Sequence, residues 1–132
     1  MPATTYTANL IAKATKNGTA YQGPATVYLA LVITTPTKAT PGTEQSGGAY
    51  ARYEFDQTTD WTDDNEGNLS NTANVEYPLV TLDYDDDIVA VEAYDDPTAG
   101  ERLWFIVLSA PRAFVVGQTP KFLAGDLVLE VV

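Results

Sequence analysis

A chain of 132 residues fits a single domain, long enough to remove roughly two-thirds of its unfolded surface from water without a disulfide or metal staple. Its 18 acidic and 7 basic residues give a formal net charge of −11, which repels phosphate backbones and anionic lipid and argues against a nucleic-acid or membrane partner. With no histidine and no cysteine, Ser–His and Cys–His nucleophiles and thiolate metal sites are excluded, and the chain tolerates both reducing and oxidising surroundings.

The opening Met1-Pro2-Ala3-Thr4-Thr5 lacks the basic and apolar regions of a signal peptide, so a soluble, unprocessed protein is expected. Residues 7 to 17 carry the helix signal. Thr7 is placed to cap the first turn, Tyr6 to staple it, and Gly18 to supply a left-handed stop. Leu10, Ile11 and Ala14 share a face, while Lys13 and Lys16 suit the C-terminal dipole. About three turns are marginal alone, so this arm, residues 1 to 22, must dock on the domain or on a neighbouring subunit.

From Gly23-Pro24 the period changes to two. Val27, Leu29, Leu31 and Ile33 alternate with Thr26, Tyr28, Ala30 and Val32, as in a central strand. Thr34 to Gly48, with Pro36, Pro41, Gly42, Gly47 and Gly48, reads as a long contact loop. Strands are expected at 50 to 56, 69 to 77 (ended by Pro78), 79 to 84, 88 to 94, 102 to 109, 114 to 116 and 127 to 132. Asp60 to Asn68 reads as an acidic turn, and Asp95 to Gly100 as the turn of a hairpin between the strands at 88 and 102. The expectation is an all-β domain over 1 to 132, an antiparallel β-sandwich of seven or eight strands with one short N-terminal helix.

Chemistry has few footholds. A carboxylate pair with Trp61 or Trp104 stacked on a sugar would suit glycoside hydrolysis, yet no pair stands out among the acids. Asp63 to Asn68 and the alternating Asp83, Asp85 and Asp87 invite calcium, but neither has a calcium-loop spacing; no metal and no cofactor is expected. In Gly47-Gly48-Ala49-Tyr50-Ala51-Arg52 the glycines can take positive φ and bring two backbones together, and Tyr50 and Arg52 point the same way and can stack. Such a corner stabilises the fold, and Tyr and Arg also anchor interfaces.

Four segments in order resemble a family of small tailed-phage proteins commonly labelled tail fibre proteins. They are Pro24-Ala25-Thr26-Val27-Tyr28-Leu29-Ala30-Leu31 with Thr34-Thr35-Pro36-Thr37; Gly42-Thr43-Glu44-Gln45-Ser46-Gly47-Gly48-Ala49-Tyr50-Ala51-Arg52; Leu69-Ser70-Asn71-Thr72-Ala73-Asn74-Val75 with Tyr77-Pro78; and Ala93-Tyr94-Asp95-Asp96-Pro97-Thr98-Ala99-Gly100. Phe122 with Ala124-Gly125-Asp126 is similar too. The chain departs from the family where Asp83 to Asp87 replaces a usual Trp-Gly pair and where Glu101 follows Gly100. The resemblance implies a β-sandwich that belongs to the virion.

The expected function is therefore a non-enzymatic structural protein of a tailed-phage virion, assembled in the host cytoplasm. Small size, the acidic surface and the absence of heptads or a repeating shaft favour a capsid-decorating (cement) role, with a neck or tail-fibre component as the alternative. A carbohydrate-binding module using Trp61 or Trp104 is a further alternative. Expected partners are the major capsid protein or neck and tail proteins and further copies of the chain, with a homotrimer ahead of a dimer. Leu10, Ile11 and Ala14 on the helix and Glu44, Tyr50 and Arg52 at the corner are the expected protein-contact residues.

Overall fold

Alternation at Val27, Leu29 and Leu31 puts the strand β1 (Thr26–Val32) at the centre of the main sheet. The structure, a computed structural model, describes residues 3–17 and 23–130. On one side β1 pairs antiparallel with β2 (Tyr53–Asp56), and on the other with β6 (Ile88–Tyr94), which forms the expected hairpin with β7 (Arg102–Arg112). The sheet order is β2-β1-β6-β7. Register sets Val27 opposite Phe55, Leu29 opposite Ala93, and Leu31 opposite Val91, so apolar side chains line one face. Across that face lie a three-stranded sheet of β3 (Trp61–Asp63), β4 (Asn68–Asn71) and β9 (Val128–Glu130), and a pair formed by β5 (Val75–Glu76) and β8 (Lys121–Phe122). Val75, Tyr77, Phe122, Leu127 and Leu129 join the main sheet in one buried cluster. The chain is thus an all-β antiparallel sandwich with one short helix, and it has nine strands among the described residues where seven or eight are expected.

The differences have local causes. The acidic stretch after Asp60 contains strand β3, because Trp61 turns inward, edge-on to Phe55 at 4.8 Å and tilted on Trp104 at 5.5 Å. The carboxylate of Asp64 accepts the Glu66 and Asn68 backbone N–H groups and closes the turn beyond it. The strand expected at 69 to 77 divides into β4 and β5 at Asn71. This buried amide donates to the Ala73 and Leu123 carbonyls and accepts the Leu127 N–H, diverting backbone groups that a straight ladder would use. Residues 79 to 84 and 114 to 116 have strand composition and lie against each other without forming a regular ladder. Val80 and Tyr84 reach Gln118 and Phe114, but the Thr81 N–H goes to the Gly48 carbonyl and the Val116 N–H to the Asp83 carboxylate. Strand β2 begins at Tyr53 instead of residue 50, because Gly47, Gly48 and Ala49 all take positive φ and reverse the chain.

Helix α1 (Thr5–Asn17) starts two residues before the expected Thr7. Thr4 is the cap: its hydroxyl oxygen accepts the Thr7 N–H at 3.2 Å, and its carbonyl accepts the Ala8 N–H. A β-bridge between Ala3 and Trp104 fixes the chain just before the helix and so selects Thr4. The stop expected at Gly18, the arm to residue 22, and the end of the last strand at Val131 and Val132 lie outside the described residues.

Candidate interaction surface

Alternation along β6 points Val91 and Ala93 into the core and Glu92 to the opposite face of the sheet. There the long loop lies over the strands. Glu92 is fully buried and accepts three hydrogen bonds: Arg102 Nη1 at 2.7 Å, the Gly42 N–H at 3.0 Å and the Tyr94 hydroxyl at 3.1 Å. Arg102 Nη2 then donates to the Thr37 and Lys38 carbonyls at 2.6 and 3.1 Å. One buried ion pair therefore holds both arms of the loop against the sheet. Burial, with the charge of Glu92 adding to it, pushes the Tyr94 hydroxyl up to about 12.

The corner read from the sequence closes the other end of the loop. Glu44, bridged to Val32, accepts the Tyr50 hydroxyl at 2.7 Å and takes a two-point hydrogen bond from Arg52 at 2.8 and 3.0 Å. The Tyr50 oxygen also accepts the Leu31 N–H at 2.9 Å, and Arg52 Nη1 donates to the Asp96 and Ala99 carbonyls of the β6–β7 turn. Burial and the Glu44 carboxylate drive the Tyr50 hydroxyl far above the ordinary tyrosine range. The expected stacking of Tyr50 on Arg52 is replaced by contact through Glu44. Arg52 stacks 4.0 Å over the Tyr94 ring, and Tyr50 stacks on Tyr77. Gly48 shows why this corner needs glycine: with φ at +64°, a Cβ there would sit 2.6 Å from the Leu82 carbonyl.

A groove of about 420 Å³ runs beside the corner between Gln45, Ser46 and Pro97, with Glu44, Tyr50 and Arg52 in its wall. Their polar atoms already serve one another, so the groove offers shape rather than a free acid–base pair. The two tryptophans are likewise committed. Trp104 is buried with its N–H on Gln57, and Trp61 packs between Phe55 and Trp104.

Helix α1 is held mainly at its start. The Thr4 N–H and hydroxyl reach the Leu103 and Arg102 carbonyls, and the Thr5 N–H reaches Lys38. Thr4 and Thr7 are buried, whereas Leu10 and Ala14 are half-exposed and Ile11 is exposed. The structure thus gathers Glu44, Tyr50 and Arg52 into one network and leaves Leu10, Ile11 and Ala14 apart from it on the helix. Sequence reasoning missed Glu92, Arg102 and Asn71. The available signal was a lone carboxylate in the otherwise apolar run Ile88–Tyr94, with an arginine across the hairpin.

The family described as Podophage GP4 fiber I protein gp80 matches residues 2–130. No curated protein matches the chain. Three of the four segments that carry the resemblance form the central strand and loop, the corner and the hairpin turn of a single clamped unit, the fourth forms β4 and β5 across the core, and the match takes in all of them. The chain belongs to this family of podophage fibre proteins and is a structural protein of the phage virion.

Proposed function

We propose that the protein is a non-enzymatic part of the fibre apparatus, a pre-shaped sandwich that works by binding other virion proteins and further copies of itself, three copies ahead of two. The observation that carries this is the internal use of the polar groups at the corner. Glu44, Tyr50, Arg52, Glu92 and Arg102 are spent on fixing the loop, so the groove beside them is suited to contact and not to turnover. Assembly takes place in the host cytoplasm, and the working location is the virion. The fibre position is favoured by the family description. Capsid decoration, favoured by small size and acidic charge, is separated from it by counting copies against the major capsid protein in purified particles. A copy number far below that of the capsid protein supports the fibre reading. Near-stoichiometric amounts would overturn it in favour of a cement role.

A further inference from the structure

We infer that helix α1 of one copy docks on the apolar, acid-rimmed patch formed by residues 79–87 and 114–117 of a second copy, joining subunits head to tail. The inference rests on the self-association proposed above and does not depend on the position in the particle.

The patch is where two loops lace together through the Val80–Gln118, Gly117–Val80 and Tyr84–Phe114 backbone bonds. It leaves four large apolar side chains outside: Leu79 55%, Leu82 67%, Val115 48% and Val116 56% exposed. Scattered exposed leucines need no explanation, but four on two adjoining loops form a contiguous patch of the kind that marks an interaction site. Asp83, Asp85, Asp86 and Asp87 border it, and neither loop contains a basic residue. Arg112, the nearest cation in sequence, is turned to Asp126 and the Lys121 carbonyl.

The complementary surface is α1. Among the described side chains, four basic residues face carboxylates of their own chain: Arg52 to Glu44, Arg102 to Glu92, Arg112 to Asp126 and Lys121 to Glu76. Lys13 lies on α1 and Lys38 beside its start, and the sequence of α1 contains no acidic residue. Lys13 sits between the outward Ile11 and the half-exposed Ala14, so positive charge flanks an uncovered apolar stripe. An apolar stripe with lysine beside it fits an apolar patch rimmed with aspartate, and a second copy supplies that patch.

Placement makes the contact intermolecular. Helix α1 is anchored at the start of β7, on Arg102 to Trp104, and the patch follows its end at Arg112. On the paired strand β6, Ala93 opposite Trp104 and Ile88 opposite Arg112 are five steps apart, roughly 17 Å at the usual rise of a strand, and the patch stays exposed on its own chain. Two different surfaces at opposite ends of one strand make a heterologous contact, which closes into a ring such as a trimer or runs on as an open stack.

The absence of cysteine makes the test direct. Ile11→Cys and Leu82→Cys variants of the full chain are mixed, oxidised mildly and digested with trypsin without reduction, and the disulfide-linked peptides, which differ in mass, are quantified. Mixed Ile11–Leu82 disulfides should exceed both like-with-like products by about tenfold. In sedimentation at low salt, Lys13→Glu should weaken self-association about tenfold, Asp86→Lys in the same chain should restore it, and high salt should weaken the unsubstituted protein. All four positions are exposed, and far-ultraviolet dichroism checks that each variant keeps the fold. A monomer at every concentration, predominant Ile11–Ile11 links, or a Lys13→Glu variant that associates normally would overturn the inference. Particle-bound protein that is monomeric in solution removes this inference alone. Cross-linked protein absent from the fibre removes the fibre reading alone.

Discussion

Replacing Arg102 by methionine should be among the most damaging single changes in this chain. The side chain is buried, its partner Glu92 is fully buried, and the pair is 2.7 Å apart. Removing the guanidinium leaves a carboxylate in the interior with two neutral donors, Gly42 N–H and Tyr94 OH, and strips the Thr37 carbonyl of its donor, while the Lys38 carbonyl keeps the Thr5 N–H. Breaking a buried pair from one side costs about 3–5 kcal/mol, a large part of the ~5–15 kcal/mol that holds a small domain together. In a domain of this size that is a fall of roughly 10–20 °C in Tm. Adding Glu92→Gln removes the stranded charge while keeping an oxygen for Gly42 or Tyr94, so the double variant should recover about 1–2 kcal/mol relative to Arg102→Met. Urea unfolding followed by fluorescence of Trp61 and Trp104 measures both. Limited trypsin digestion adds a local readout, since cleavage after Lys38 should rise as the loop comes off the sheet. A cost below about 1 kcal/mol for Arg102→Met, or a double variant less stable than the single one, would refute the clamp.

Tyr50→Phe removes the oxygen that accepts the Leu31 N–H and donates to Glu44, and should cost about 1–3 kcal/mol in the same urea assay; an unchanged midpoint would show that the corner is not a structural tie. Gly100→Ala should destabilise by more than about 1 kcal/mol, because φ is +84° and the new Cβ would collide with Asp95 Oδ1 and lie 2.7 Å from Asp96 Cβ; wild-type melting would contradict that turn geometry. At alkaline pH, burial raises the hydroxyls of Tyr50, Tyr53, Tyr77, Tyr84 and Tyr94 in the folded state, with Tyr94 at about 12. A raised folded value means stability intact below the unfolded tyrosine value near 10 and lost as pH climbs through about 12. Melting temperature should therefore fall from pH 10 upward; complete tyrosinate absorbance at pH 11 with the fold retained would contradict it.

What the sequence discloses and what it hides divide along the reach of the interactions. The runs at 26 to 32, 88 to 94 and 102 to 109 were legible because burial on one face writes a two-residue period into the chain, and Asp95 to Gly100 supplies turn chemistry between the last two. Residues 79 to 84 looked equally strand-like, but their hydrogen bonds are taken by Gly48, Gln118 and Phe114, partners no local pattern reveals. Asn71 reads as an ordinary polar strand residue until residues 123 and 127 arrive beside it. At the corner, residue types and direction were readable, while the geometry was not. Arg52 reaches the Asp96 and Ala99 carbonyls, 44 and 47 positions along the chain, and stacks on Tyr94. Helix α1 was recognised by its face, and its true cap, Thr4, depends on contacts with Arg102 and Leu103 nearly a hundred residues away.

The clamps also explain how so polar a loop can serve a binding protein. Ordering backbone costs about 1–2 kcal/mol per residue, and a loop left free would meet that cost at the moment of association. Here Arg102 and Arg52 meet it during folding, by tying the carbonyls of 37, 38, 96 and 99 and the carboxylates of 44 and 92 into one network over the sheet. The groove between Ser46 and Pro97 is thereby pre-shaped. None of those atoms belongs to α1 beyond its first turn or to the patch at Leu82 and Val116. Changes in the network should therefore move the urea midpoint, whereas Lys13→Glu and Asp86→Lys should move self-association at constant midpoint. On the proposed mode of association, stability and assembly are written on different residues of this small domain, and parallel unfolding and sedimentation of the two sets of variants test that separation directly.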